Sequence, residues 1–154
     1  MASERDPAPA LRLWVVLSRA HAAIEAHARA HTARHGLTLA EFAVLEALHH
    51  KGRMLLNEVQ RRILVSSGGI TYLVDRLQTK GLVERQPCTE DRRASWATLT
   101  SAGKELIERI FPEHAACLSR AMSALEPEQQ RQAAELIRAL GIGAADTEPC
   151  GAGE

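Results

Sequence analysis

The chain has 154 residues, of which 45% are hydrophobic and 25% charged, the proportions of a soluble globular domain. Aromatic side chains make up only 3%, so the core must consist mainly of Leu, Ile, Val and Ala, which favours helices. No apolar run approaches the roughly 18–20 residues of a membrane span, and the charged start of the chain lacks the apolar centre of a signal peptide.

The three cysteines are Cys88, Cys117 and Cys150. They are odd in number, far apart and outside any paired C-x-x-C motif, which argues against a disulfide framework or a structural zinc site. We expect Cys117 to be a small buried hydrophobe. The simplest compartment for such a chain is the cytoplasm.

Charge is balanced overall, with 19 basic and 19 acidic side chains, but it is unevenly distributed. The segment from Arg53 to Lys104 contains nine Lys and Arg against five Asp and Glu, which leaves the rest of the chain acidic. A basic middle between acidic ends is typical of a DNA-reading module with separate assembly segments, although random scatter of surface charge also produces such windows.

The first predicted element is one long helix from Leu11 to about His35, ended by Gly36 and about 37 Å long. Thr38 and Glu41 form a capping box that opens a second helix, whose buried side chains we expect to be Phe42, Leu45 and Leu48.

A short helix over 56–63 and a further helix opened by Ser66 and Ser67 follow. The latter ends at Gly81, and its spacing predicts one buried face, formed by Ile70, Leu73, Val74 and Leu77.

The spacing of the apolar residues then changes from that of a helix to that of a β-strand. Residues 82–86 and 95–99 are short and alternating or β-branched, with a polar turn between them, and predict a hairpin with a charged tip. Thr100 caps a long helix over 101–125, in which Pro112 predicts a kink. A last helix begins at Pro127 and is expected to end before Gly141.

Helix, short helix, helix and basic hairpin is the order of a winged helix-turn-helix, which places one helix in the DNA major groove. The fold class is therefore mainly α with a small β-hairpin, flanked by long helices. The segments VSSGGITYLVDRL (65–77), KGLVER (80–85), EDRR (90–93) and LTSAG (99–103) resemble the MarR family of bacterial repressors. Further segments, LAEFAVLEAL (39–48), SGGITY (67–72), Pro87-Cys88 and Phe111-Pro112, are most similar to the branch that senses quinones and phenolics.

The resemblance implies a homodimer that reads a palindromic operator. It assigns 11–36 and 101–140 to dimerisation helices and 37–100 to the winged helix-turn-helix region. Composition, with prolines and mixed charge at the start and Gly, Ala and acidic residues at the end, predicts disordered ends at 1–10 and 141–154. An intramolecular three-helix pack is the alternative for the long helices. Because an isolated Ala- and Leu-rich helix with a wide apolar stripe needs a partner surface, we favour the dimer.

Candidate DNA-contacting residues lie on the helix opened by Ser66 and Ser67, which is the recognition helix of this motif, and at the hairpin tip. Short polar side chains and glycines near a helix start allow close approach to phosphate, and tip arginines are attracted to the minor groove. We expect Asp91 to pair with an arginine and fix the turn. For Arg61 and Arg62 there are two interpretations, contact with phosphate and simple exposure on a helix face. The DNA set is Ser66, Ser67, Gly69, Thr71, Tyr72, Arg76, Arg92 and Arg93.

The resemblance also implies an effector pocket between the dimer region and the winged lobe. Trp14, Ser18 and His21 on the first helix and Phe42 on the second are its candidates, an apolar wall with a few polar groups that suits a small aromatic ligand. A plain core or interface role is the alternative for each of them.

Cys88 lies in the hairpin turn among arginines, which favour the reactive thiolate, so it is a candidate for redox sensing. An ordinary exposed thiol is the other interpretation.

His27, His31 and His35 recur every four residues, and two histidines one turn apart can share zinc. Because the segment lacks an adjacent acidic or cysteine ligand, we expect a solvent-facing polar stripe and no metal or cofactor.

No motif of an enzyme stands out, since Walker A, G-x-S-x-G, H-E-x-x-H and Rossmann fingerprints are all absent from the sequence. We expect a dimeric DNA-binding repressor that responds to a small aromatic ligand. A constitutive DNA-binding protein without effector is the competing interpretation, and an enzyme that uses the Trp14 and His21 pocket is a third.

Overall fold

The computed structural model describes residues 6–63 and 67–149. The chain divides into two compact units, Met1–Leu118 and Ser119–Glu154. The elements are α1 (Ala8–Ala33), α2 (Leu39–Lys51), β1 (Met54–Leu55), α3 (Leu56–Ile63), α4 (Ser67–Thr79), β2 (Val83–Pro87), β3 (Ser95–Leu99), α5 (Ser101–Ala121) and α6 (Pro127–Ala145).

The helix boundaries follow the signals in the sequence at most positions. Thr38 and Glu41 form the predicted capping box, with the Glu41 N–H donating to Thr38 Oγ1 at 3.1 Å and the Thr38 N–H donating to Glu41 Oε2 at 2.8 Å. Thr100 Oγ1 likewise accepts from the N–H of Gly103 at the start of α5. Gly36, Gly52 and Gly81 have φ between 70° and 75°, the left-handed conformation that ends a helix.

Three boundaries differ from the prediction. Helix α1 begins at Ala8 rather than Leu11, α5 ends at Ala121 rather than at 125, and α6 continues past Gly141 and Gly143 to Ala145. The glycines of α6 alternate with Ile142 and a pair of alanines, and an isolated glycine costs a helix only about 1 kcal/mol. Helix α5 also continues through Pro112.

The sheet has three strands in the order β1-β3-β2. The predicted hairpin is confirmed, with Val83 opposite Leu99 and Pro87 opposite Ser95. Strand β1, in which Met54 pairs with Ala97, was not predicted, because a two-residue strand has no alternating pattern to detect.

The core of the first unit lies where α2, α4, the sheet and α5 meet. The predicted buried faces are confirmed, since Phe42, Leu45, Leu48, Ile70, Leu73, Val74 and Leu77 are all buried. Gly103 is required by close packing, because a Cβ there would overlap the carbonyl oxygen of Leu82. In the described ranges, no helix has both the length and the apolar character needed to cross a membrane.

Candidate nucleic-acid interface

Helix α4 has a buried face and an exposed face. Ile70, Leu73, Val74 and Leu77 point into the core, and the opposite side exposes Thr71, Tyr72, Asp75 and Arg76. The Tyr72 side chain is 60% exposed, so this residue is not part of the core. The exposed side of a helix held in this way is available to a DNA groove.

Arg76 and Tyr72 are held together on that face. The Arg76 guanidinium donates to the Tyr72 hydroxyl at 3.1 Å, and its Nε donates to Glu41 Oε1 at 2.9 Å. The Arg76 side chain nevertheless remains 44% exposed. The hydrogen bond to Glu41 raises the pKa of Arg76, so its charge is fixed at the surface.

Glu41 is fully buried and anchors this arrangement from α2. Lys80 Nζ donates to Glu41 Oε2 at 2.9 Å and to the Gly36 carbonyl at 2.8 Å. Burial alone would raise the pKa of Glu41, but the Thr38 N–H together with Lys80 and Arg76 stabilises the carboxylate and lowers it. The capping-box motif predicted that Glu41 caps α2, but it did not predict the bond between Glu41 and Arg76 of α4.

The tip of the hairpin is closed by backbone hydrogen bonds. The Cys88 N–H donates to Ala94 O, and the Ala94 N–H donates to Asp91 O, both at 3.0 Å. Asp91 Oδ1 accepts from the Arg93 backbone N–H at 2.9 Å. Asp91 thus pairs with an arginine in the turn as expected, through the Arg93 backbone N–H, the usual way in which Asp stabilises a tight turn. Arg92 and Arg93 are both exposed.

A cavity of about 340 Å³ lies between α3, α4 and the hairpin, and its lining brings Thr71 of the recognition helix near Arg93 of the tip. Arg85 also lines it and donates to Asp75 Oδ1 at 2.9 Å, which links β2 to α4. Sequence reasoning missed this ion pair, because ten residues separate its members and no local pattern connects them.

Other predicted DNA residues are less completely described. Ser66 lies outside the described residues, as does the side chain of Ser67 at the start of α4. Gly69 lies in the first turn of α4. A Cβ on its neighbour Gly68 would meet nothing within 4 Å, so the surface is open there. Arg61 and Arg62 are exposed on α3.

The four effector candidates do not form one buried wall in the single chain. Trp14 is 69% exposed, and Ser18 and His21 are also exposed on α1. Phe42 is 1% exposed and lies in the core, with its ring 4.3 Å from that of His114.

The expected solvent-facing histidine stripe on α1 is wrong. His27 is exposed, but His31 is buried and His35 is partly buried. Helix α5 covers them, and brings Glu113 and His114 to the end of α1. No local pattern indicates this approach, since about 80 residues separate the two segments.

The two described cysteines are both partly buried. Cys88 lies in the hairpin turn as predicted. Cys117 is less buried than expected, and its Sγ lies 3.8 Å from the His27 carbonyl oxygen.

The exposed recognition helix and the basic hairpin beside it define a winged helix-turn-helix of the DNA-reading class. A model of the MarR family matches residues 35–94. The HTH-type transcriptional regulator MhqR of Bacillus subtilis is 42% identical over 134 residues, which cover 87% of this chain and 92% of that protein. The chain therefore belongs to the MarR family and is a DNA-binding transcriptional regulator.

Solved structures agree on the fold. AbsC, a MarR family regulator from Streptomyces coelicolor, aligns with a TM-score of 0.82 and 21% identity over 89% of this chain and 95% of its own. Sco3205, a MarR family regulator from the same organism solved in complex with DNA, aligns with a TM-score of 0.81 and 26% identity over 94% of this chain and 91% of its own.

Proposed function

We propose that the protein is a homodimeric repressor in the cytoplasm that leaves a palindromic operator when a small aromatic, phenolic effector binds. Its DNA residues would be those of the recognition helix and the hairpin tip identified above. The observation that carries the proposal is the exposed apolar surface of α1, because a monomeric regulator would leave these apolar side chains in water.

The N-terminal half of α1 exposes large apolar side chains. Leu13 is 49%, Trp14 69% and Val16 57% exposed. Helix α6, in the second unit, separately exposes Leu136, Ile137 and Leu140. Burial of such surfaces contributes about 25 cal/mol per Å², and a second copy of the same chain supplies a self-complementary partner.

Sedimentation velocity of the full chain tests the dimer. We expect the parent to sediment as a dimer and Val16→Glu to shift toward monomer, because a carboxylate would be buried without a partner. Gln86→Glu is the control, since it adds the same charge at an exposed position of β2. A parent that sediments as a monomer at micromolar concentration contradicts the proposal.

The effector is proposed to bind against α1 in the dimer. Trp14 offers an aromatic face for stacking, and Ser18 and His21, about one and two turns further along the exposed helix, offer groups that hydrogen-bond a phenolic hydroxyl. The effector must bind the DNA-free state more tightly, by about 1–3 kcal/mol for typical coupling. Phe42 is buried in the core, so it would support the wall of such a pocket without contacting the effector.

A thiol sensor is the second candidate, and one observation favours it. Cys88 is partly buried at the base of the hairpin tip, and its backbone closes the turn through Ala94. Modification of its sulfur would displace the segment that carries Arg92 and Arg93.

Release of a fluorescent operator duplex by phenol, hydroquinone and benzoquinone separates the candidates. The proposal predicts that Cys88→Ser still responds to phenol and that Trp14→Ala does not. A Cys88→Ser protein blind to every compound that releases the parent supports the thiol sensor. If none of the compounds releases the parent, the constitutive alternative is favoured.

A further inference from the structure

Three metal-ligating side chains meet beyond the recognition surface, at the C-terminal end of α1. His31 Nε2 and His35 Nε2 each lie 3.7 Å from Glu113 Oε2 of α5. One ligand atom from each of the three residues falls within 4.8 Å of the others. All three belong to the first compact unit.

The two histidine nitrogens have unsatisfied hydrogen-bonding capacity. His31 is 5% exposed, and among the described residues neither His31 Nε2 nor His35 Nε2 has a hydrogen-bond partner. The distance of 3.7 Å to Glu113 is too long for a hydrogen bond. A buried polar atom left unpaired costs about 1–3 kcal/mol, so two of them directed at one carboxylate require an explanation.

His31 is buried and packs against a second histidine, His114. Burial, followed by the nearby charge of His35, lowers the pKa of His31 despite Glu113. Burial, followed by His31, also lowers the pKa of His114. The Nδ1 atoms of His31 and His114 lie 3.3 Å apart. In the tautomer in which His31 carries its hydrogen on Nδ1, this N–H donates a hydrogen bond to His114, and the lone pair of His31 Nε2 is free to bind a metal. Such a second contact commonly orients a metal-bound histidine.

We propose that His31, His35 and Glu113 bind one divalent transition-metal ion, with Zn²⁺ as the best fit, and leave a fourth position to water. Two imidazoles and one carboxylate are a common zinc ligand set. Ligand atoms of a tetrahedral zinc site are about 3.4 Å apart, close to the 3.7 Å separations present here. All three ligand atoms lie within 4.8 Å of one another, so the side chains must close further to reach the zinc geometry.

Glu113 is the ligand on which the electrostatics depend. Arg34 adds positive charge near His31, and this opposes a cation. The Glu113 carboxylate is the acidic member of the cluster and offsets that charge. Its side chain is 57% exposed, so an ion reaches the site from solvent. A bound ion would tie the end of α1 to α5 and stabilise the folded chain in proportion to its occupancy.

Isothermal titration of the metal-stripped full-length protein with Zn²⁺ alone tests the proposal. We expect one ion per chain and a loss of affinity of at least about tenfold in Glu113→Gln and in His35→Gln. His27→Gln is the matched control, because His27 is an exposed histidine one turn earlier on α1. Both ligand variants change side chains that are at least partly exposed, so they should remain folded, which circular dichroism would verify.

Absorption spectra with Co²⁺ identify the ligand type. A site of two imidazoles and a carboxylate gives the visible bands of tetrahedral Co²⁺ without the near-ultraviolet charge transfer of a thiolate. No binding by the parent, equal affinity in parent and both ligand variants, or a thiolate band that disappears in Cys88→Ser or Cys117→Ser would overturn the assignment.

Discussion

Arg76 on the recognition helix α4 is bound through its Nε to the buried carboxylate of Glu41 on α2, at 2.9 Å. The same carboxylate accepts the Thr38 N–H that opens α2 and the Lys80 ammonium beyond the end of α4. One fully buried side chain thus caps the start of α2 and binds cations on α4 and just beyond its end. The buried charge of Glu41 therefore helps to hold α4 against α2.

Replacement Glu41→Gln should destabilise the protein by about 1.5–3 kcal/mol, the range for a hydrogen bond to a charged group. Gln can still cap α2, but it carries no negative charge to balance the positive charges of Arg76 and Lys80. The partial exposure of both cations keeps the effect below that of a fully buried pair. The free energy of unfolding in urea measures it.

Glu46→Gln is the matched control for this change. It alters a partly exposed carboxylate on the same helix, 3.9 Å from His50, and should change stability by less than about 0.5 kcal/mol. Equal losses in the two variants would contradict a special role of Glu41.

The stabilising effect of Glu41 should depend on pH. Its pKa in the folded protein lies below the ordinary value of 4.5, so the unfolded chain binds more protons as the pH falls. The contribution is fully present above pH 4.5 and is lost as the pH falls through the folded pKa. The difference in unfolding free energy between parent and Glu41→Gln should therefore be constant near neutral pH and narrow in acid. A difference that stays constant down to about pH 3 would refute this.

Arg93→Ala should weaken operator binding and flatten its salt dependence. Each lost phosphate contact lowers the slope of log K against log salt by about 0.9, or about 1.8 for a dimer that loses two. Arg131→Ala is the control, since Arg131 lies on α6 and pairs with Glu128. Fluorescence anisotropy across a salt series measures the slope. An unchanged slope in a folded Arg93→Ala protein would remove Arg93 from the interface.

Tyr72→Ala should reduce discrimination between operator and random DNA more than it reduces non-specific binding. Tyr72 is exposed and is held by Arg76 on the outer face of α4. Tyr72→Phe separates the two parts of this effect, because it keeps the ring and removes only the hydroxyl. The ratio of specific to non-specific affinity is the readout, and a collapse of the melting temperature would mean that the ring supports the fold.

Local signals in the sequence predicted most of the fold. The spacing of Ile70, Leu73, Val74 and Leu77 identified the buried face of α4, and the pair Thr38 and Glu41 identified the start of α2. Both depend on residues within one or two helical turns, the range over which periodicity and capping act.

Relationships between distant segments were not predictable in this way. The meeting of Arg85 with Asp75, and of Glu113 with His31 and His35, depends on how helices and strands pack. A histidine every fourth residue looks the same in sequence whether it faces water or another helix, and this is why the interpretation as a polar stripe failed.

The most direct test of the central claim is selection of binding sites from a random duplex DNA library by the purified full-length protein. A homodimer with two recognition helices should enrich an inverted repeat whose half-site centres lie about 10–10.5 base pairs, or a multiple of that spacing, apart. Enrichment of a single half-site without symmetry, or of no sequence at all, would contradict the account of a dimeric regulator that reads a palindrome.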